Sequence, residues 1–176
     1  MSNPKYIPHY SFEDYKVWKG DWELIDGLPI AMSPSPKKNH QYFANKLNFL
    51  FLKEFDKKQS ICNCQVYYEI DWKVKNDTVV RPDLLIVCND KDSDFIEKVP
   101  NLVVEVLSPS THLKDRNTKF SIYEENGVSY YIMIDPDSKK IEIFQLIDNK
   151  YKEVSICSFK LTKDCFVTLD LDSIFE

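Results

Sequence analysis

No stretch of this chain approaches the ~20 consecutive apolar residues of a membrane span, so no membrane partner is expected. The first ten residues, M-S-N-P-K-Y-I-P-H-Y, carry no apolar core resembling a signal peptide, and a cytoplasmic location is expected. An excess of positive charge is also missing. The formal net charge is −5, which argues against a protein that coats nucleic acid through charge alone. It does not exclude a nuclease, because metal-binding carboxylates are themselves part of the acidic count. Nucleic-acid contacts would have to come from local basic spots: Lys37-Lys38, Lys57-Lys58, Lys139-Lys140, or Lys114 with Arg116. Each of these is more often a solvated face.

The C-x-x-C knuckle of structural zinc sites is absent as well. Of the five cysteines, Cys62 and Cys64 form C-x-C, and Cys88 ends an apolar run in which it is expected simply to pack. The three histidines, His9, His40 and His112, bear no patterned relation to any cysteine. The thiols are therefore expected to be buried or incidental. There is no internal repeat, low-complexity tract or linker. With 176 residues, 43% hydrophobic and 29% charged, the chain is expected to be one soluble domain spanning 1–176 that buries roughly 70% of its unfolded surface.

What is present reads as an α/β domain. Ser11 with Glu13 and Asp14 predicts a helix start, running through Trp18 to Gly20. W-E-L-I-D-G-L-P-I-A-M predicts a hairpin about Asp26-Gly27, a pair suited to a type I′ turn. Ser33 to Pro36 breaks the pattern. Apolar residues at Phe43, Leu47, Leu50, Phe51 and Phe55 then predict a helix from Asn39 to about Lys57. Cys62 to Trp72 reads as one β segment, and Lys75-Asn76-Asp77 as a turn. Asn89 to Lys98 reads as a solvated loop, because Asp90, Asp92 and Asp94 lack the Gly and closing Glu of a calcium loop. A helix from the Ser108–Thr111 caps to Gly127 follows. The rest reads as strands over 128–134, 141–146, 151–156 and 166–169, with a final turn ending at Phe175.

The stretch from Val80 to Tyr131 carries the chemistry. Leu102 to Leu107 is apolar enough for a strand buried on both faces, yet Glu105 sits within it. A lone carboxylate there is strongly destabilising unless paired, protonated or bound to metal. Asp83 precedes a second apolar run directly after Pro82, which cannot donate to a sheet ladder and so marks a strand start or bulge. Hydrolysing a phosphodiester calls for a metal ion that neutralises charge and activates water. Mg²⁺, with Mn²⁺ as a substitute, takes one or two protein carboxylates in an oxygen shell. Asp83 and Glu105 are the candidate ligands, the Val106 carbonyl a third, and Lys119 on the following helix the candidate electrostatic helper. Each has a plainer explanation. Asp83 can cap a turn, Glu105 can pair with Arg81 or Lys119, and Lys119 can form a helical pair with Asp115 worth about 0.3–0.5 kcal/mol. Taken singly the plainer explanation wins; taken together they favour function.

R-P-D-L-L-I-V, L-V-V-E-V-L-S-P-S, D-x-x-x-K-x-x-x-Y and G-V-x-Y-Y-I-x-I-D-P, in this order, resemble the Uma-two endonuclease family of the PD-(D/E)XK superfamily. W-E-L-I-D-G, M-S-P and His40 upstream are similar too, so the resemblance covers nearly the whole chain. It implies a restriction-endonuclease-like fold: a mixed four-stranded sheet flanked by helices, here with extra N- and C-terminal β segments. It places the family's aspartate on Asp83, its second acid on Glu105 and its lysine on Lys119. The superfamily lysine position, two residues after the acid, is Leu107 here. Asp115, Tyr123, Glu23 and His40 match further family positions, and the resemblance implies that Glu23 contributes to the site. Asn101 departs from the acid many relatives carry.

A Mg²⁺-dependent endonuclease acting on DNA is therefore expected, with a homodimer as one way to address both strands. The alternatives are a catalytically inactive nucleic-acid-binding or accessory protein on the same fold, and an interaction domain in which a basic side chain neutralises Glu105.

Overall fold

The computed structural model describes residues 7–32, 37–57, 61–90, 93–109 and 111–176. The Ser33–Pro36 break, Lys58, Asp92 and Ser110 lie outside the described residues. Helix α1 (Phe12–Tyr15) opens with a capping box, Ser11 accepting from the Asp14 N–H while the Asp14 carboxylate accepts from Ser11. It stops short of the Gly20 expected from the sequence. Trp18 instead packs edge-on against Tyr10, Tyr15 and Trp22, so aromatic contacts override the helical pattern. Strands β1 (Trp22–Ile25) and β2 (Leu28–Ala31) form the expected hairpin. Its turn residues Asp26 and Gly27 have φ of 48° and 75°, the primed geometry that the strand twist favours. Helix α2 (Lys38–Asp56) buries Ala44, Leu47, Phe51 and Phe55.

The β segment read as continuous from Cys62 to Trp72 is broken. It forms β3 (Cys64–Tyr68) and β4 (Trp72–Lys75), interrupted at Glu69, whose φ is 48°. The break lets the chain leave one sheet and enter another. Strand β5 (Thr78–Val80) follows, and Arg81-Pro82-Asp83 leads back into β6 (Leu84–Cys88). Next come β7 (Leu102–Val106), a π-helix over Lys114–Lys119, α3 (Phe120–Glu125), β8 (Tyr130–Asp135), β9 (Lys140–Ile147) and β10 (Lys150–Glu153). The chain ends with β11 (Ser158–Lys160), β12 (Phe166–Thr168) and a 3₁₀ turn over Asp172–Phe175.

The central sheet is mixed, in the order β10-β9-β8-β7-β6-β3, and only β7 and β8 run parallel. That pair needs a crossover, which the π-helix and α3 supply. A second sheet, β2-β1-β5-β4, and a small β11-β12 hairpin complete the described strands. Strand β7 is buried on both faces. Leu102, Val104 and Val106 share a core with α2, while Val103 shares one with Tyr123 of α3 and Tyr131. The pleat puts Glu105 on the α3 side with Val103. This is a restriction-endonuclease-like core, and its central sheet has six strands where four were expected.

The cysteine expectation is corrected. Cys62 is joined to Cys165 and Cys64 to Cys88, leaving Cys157 free and exposed. Cys64 and Cys88 are direct cross-strand neighbours of β3 and β6. That pairing is invisible without the sheet register.

Gly27 has the positive φ, and a Cβ on it would come within 2.2 Å of the His9 ring. Gly27→Ala should lower unfolding free energy by roughly 1–2 kcal/mol from backbone conformation alone, with a further steric loss. Urea denaturation checks this: adding His9→Ala should recover the steric part and leave the backbone part.

Candidate active site

Two sheets and the π-helix meet over a cavity of about 400 Å³. Its lining includes His40, Arg81, Asp83, Glu105, Lys114, Asp115 and Lys119. The strand ends explain why acids gather here. Asp83 lies just before β6, at the Pro82 passage between the sheets, and β7 brings Glu105 alongside from the neighbouring strand.

Asp83 is held from two sides. Its Oδ2 accepts the Val106 N–H at 2.6 Å and lies 3.0 Å from His40 Nε2. Burial alone would depress the His40 pKa, but the hydrogen bond to Asp83 and the negative charges around it outweigh that and raise it. Val106 thus reaches the site through its N–H, while its side chain packs in the α2 core.

Glu105 is buried, at 2% exposure, and its Oε1 accepts from Lys119 Nζ at 2.8 Å and from the Tyr123 hydroxyl at 2.6 Å. Full burial pushes its carboxyl well above the ordinary range; Lys119 opposes this, while Asp115 and Asp83 add to it. Trp72 and Tyr131 pack on Tyr123 and keep that side dry. Of the partners the sequence offered Glu105, Lys119 is the one realised. Arg81 instead pairs with Asp71 and Asp21, each at 2.7 Å.

Lys119 is the hub. Besides Glu105, its Nζ lies 3.2 Å from Glu23 Oε1, 3.2 Å from the Arg81 carbonyl and 3.8 Å from Asp115 Oδ1. Burial alone would strip its proton, but Glu105, Glu23 and Asp115 together hold the ammonium charged and raise its pKa well above the usual lysine range. The π-helical turn buries both Asp115 and Lys119, so they are not the exposed helical pair that their i,i+4 spacing allowed. A π-helical segment at such a place is a common mark of a functional site.

Glu23 arrives from β1 of the second sheet and is fully buried. Its Oε1 accepts the Arg81 N–H at 2.9 Å and its Oε2 pairs with Lys114. Burial favours its neutral form, but Lys119 and Lys114 prevail and lower its pKa. Lys114 escaped the site reading because, in sequence, it stood out only as part of a basic spot with Arg116. The i,i+5 distance to Lys119 places it on the cavity only once the π-helix is known.

Lys114 and Lys119 thus face Glu23, Asp83, Glu105 and Asp115, an excess of carboxylates. Asp115 Oδ1 is buried and has no hydrogen-bond partner. A surplus of hard oxygen donors with an orphaned oxygen among them suits a divalent cation. With the four core cysteines closed as disulfides, no three His, Cys, Asp or Glu side chains among the described residues stand in metal-holding positions. Asp83 and Glu105 are the two carboxylates that could hold such a cation, with water and phosphate oxygens supplying the rest.

A mixed sheet with helices on both faces and acids at a strand junction defines the restriction-endonuclease-like class. Residues 12–171 match the model of the Uma2 family, described as "Putative restriction endonuclease", and the chain belongs to that family. A Synechocystis protein, "Uncharacterized protein slr1290", is 31% identical over 151 residues, covering 81% of this chain and 77% of its own. A crystal structure from Anabaena variabilis, titled "a putative nuclease belonging to DUF820", superposes with a TM-score of 0.74 at 13% identity. It covers 95% of this chain and 99% of its own, and shows the shared fold. Family and fold together support a nuclease.

Because Glu23 has a lowered pKa in the folded state, its stabilising contribution is present above its unfolded pKa and is lost as pH falls through the folded one. Glu23→Gln should therefore destabilise the metal-free protein at pH 7 by about 3–5 kcal/mol, as expected for breaking a buried pair. The gap to wild type should close as pH drops below the carboxylate range, measured by urea denaturation across pH.

Proposed function

We propose that this protein is a Mg²⁺-dependent endonuclease that hydrolyses phosphodiester bonds in DNA, with Mn²⁺ as a working substitute. The observation carrying this reading is the convergence of Asp83, Glu105 and Lys119 on one cavity. Asp83 and Glu105 would hold the cation, which when bound supplies charge neutralisation and a more acidic water. His40 and the Val106 N–H fix the Asp83 carboxylate in one orientation, and Tyr123 does the same for Glu105. Lys119 keeps its proton and presents a fixed positive charge to the phosphate oxygens as negative charge builds on them. Glu23 also holds that ammonium and steadies Lys114. Lys37 and Lys114 on the cavity lining give flanking phosphates something to bind despite the acidic balance of the chain. A homodimer would present two such sites to the two strands of a duplex.

One observation favours a second reading. Glu105 and Lys119 already neutralise each other in the dry interior, as they would in a nucleic-acid-binding protein without turnover. Plasmid cleavage with Mg²⁺ or Mn²⁺ separates the two. Asp83→Ala, Glu105→Ala and Lys119→Ala should each lose on the order of 10²–10³-fold or more in rate, with folding checked by circular dichroism. Wild-type cleavage speed in the Glu105→Ala protein would refute the assignment, and DNA binding without turnover in wild type would favour the second reading.

A further inference from the structure

At the opposite end of β6 from Asp83, four cysteines from three chain segments meet. Cys62 lies just before β3 and Cys64 opens it, Cys88 ends β6, and Cys165 immediately precedes β12. All four are buried within the α2-side core, between 0% and 8% exposed. The two bonded pairs are not separate clips: Cys64 Sγ and Cys165 Sγ, members of different pairs, are 3.8 Å apart. The four sulfurs therefore form one cluster. A tetrahedral Zn²⁺ with bonds of ~2.3 Å to sulfur spaces its four ligands ~3.8 Å apart, which matches this contact between the pairs.

We propose that, in the reduced protein, Cys62, Cys64, Cys88 and Cys165 bind one Zn²⁺ as a tetrathiolate site that fastens the C-terminal hairpin to the β3–β6 edge of the central sheet. Two features favour it over two permanent disulfides. The sulfurs of the two pairs already stand at the spacing of zinc ligands, and reduction without a metal would leave four thiols crowded in the apolar α2-side core. A cationic group also stands next to the cluster: Lys98 Nζ donates to the carbonyls of Cys88 and Asn89, where it can offset the double negative charge of a zinc tetrathiolate.

The chemistry balances with a dithiol as reductant. Each disulfide takes two electrons and two protons from one dithiol, which leaves as its own disulfide. Zn²⁺ then displaces four protons from the four thiols. The ligands span a sequence separation of 103 residues between Cys62 and Cys165, so the metal closes a long loop and stabilises the folded chain.

The test uses the full chain reduced with a dithiol, freed of reductant under inert gas, and given Zn²⁺ or Co²⁺ alone. With Zn²⁺, a chromogenic thiol reagent should titrate Cys157 quickly and the other four slowly; without it, all five should react faster. Co²⁺ should load at one per chain and give the intense visible bands and sulfur charge transfer of a tetrahedral tetrathiolate, unchanged in Cys157→Ser. Cys165→Ser should weaken Zn²⁺ binding about tenfold or more. Should that variant fail to fold, thiol counting on the wild-type chain still decides. Thiol reactivity indifferent to Zn²⁺, or a Co²⁺ spectrum without sulfur ligation, would overturn the proposal.

Discussion

A charged ammonium buried in a protein is tolerable only if carboxylates surround it, and Lys119 is such a group. Glu105 from β7, Glu23 from β1 and Asp115 from its own helical turn close around it. Each comes from a different element, so the central sheet, the second sheet and the crossover must all be in register for the charges to balance. Removing one partner exposes the others to the full cost of burial. This shared dependence makes the cluster a poor choice for stability alone, since apolar side chains of similar size would serve better.

The local order of the fold was legible where one physical signal dominated. The Asp26-Gly27 turn, the amphipathic run of α2 and the all-apolar strands around Glu105 each announce themselves. Legibility failed where long-range contacts decided the outcome. Aromatic packing of Trp18 cut α1 short, and a left-handed Glu69 divided one apparent β segment between two sheets. The π-helix could not be read at all, because its residues fit an α-helix equally well.

The same division runs through the site. Asp83 and Glu105 stood out because each is an acid set against an apolar strand, and Lys119 because it is a lysine on the helix that follows them. Lys114 and the Arg81 carbonyl carry no such mark; the first reaches the cavity through the π-helical turn, the second through the passage of the chain between the two sheets. The disulfide partners were hidden for a related reason. Cys64 and Cys88 are 24 residues apart in sequence and adjacent only across a strand pair.

Glu23 has a consequence for how the molecule comes together. The side chain that completes the charge balance belongs to β1, in the first sixth of the chain, whereas the lysine it serves follows residue 113. A nascent chain therefore holds its acid long before it has a cation to match, and the cavity matures only when the two sheets dock. Neutralisation of the buried acid and docking of the two sheets thus become one event.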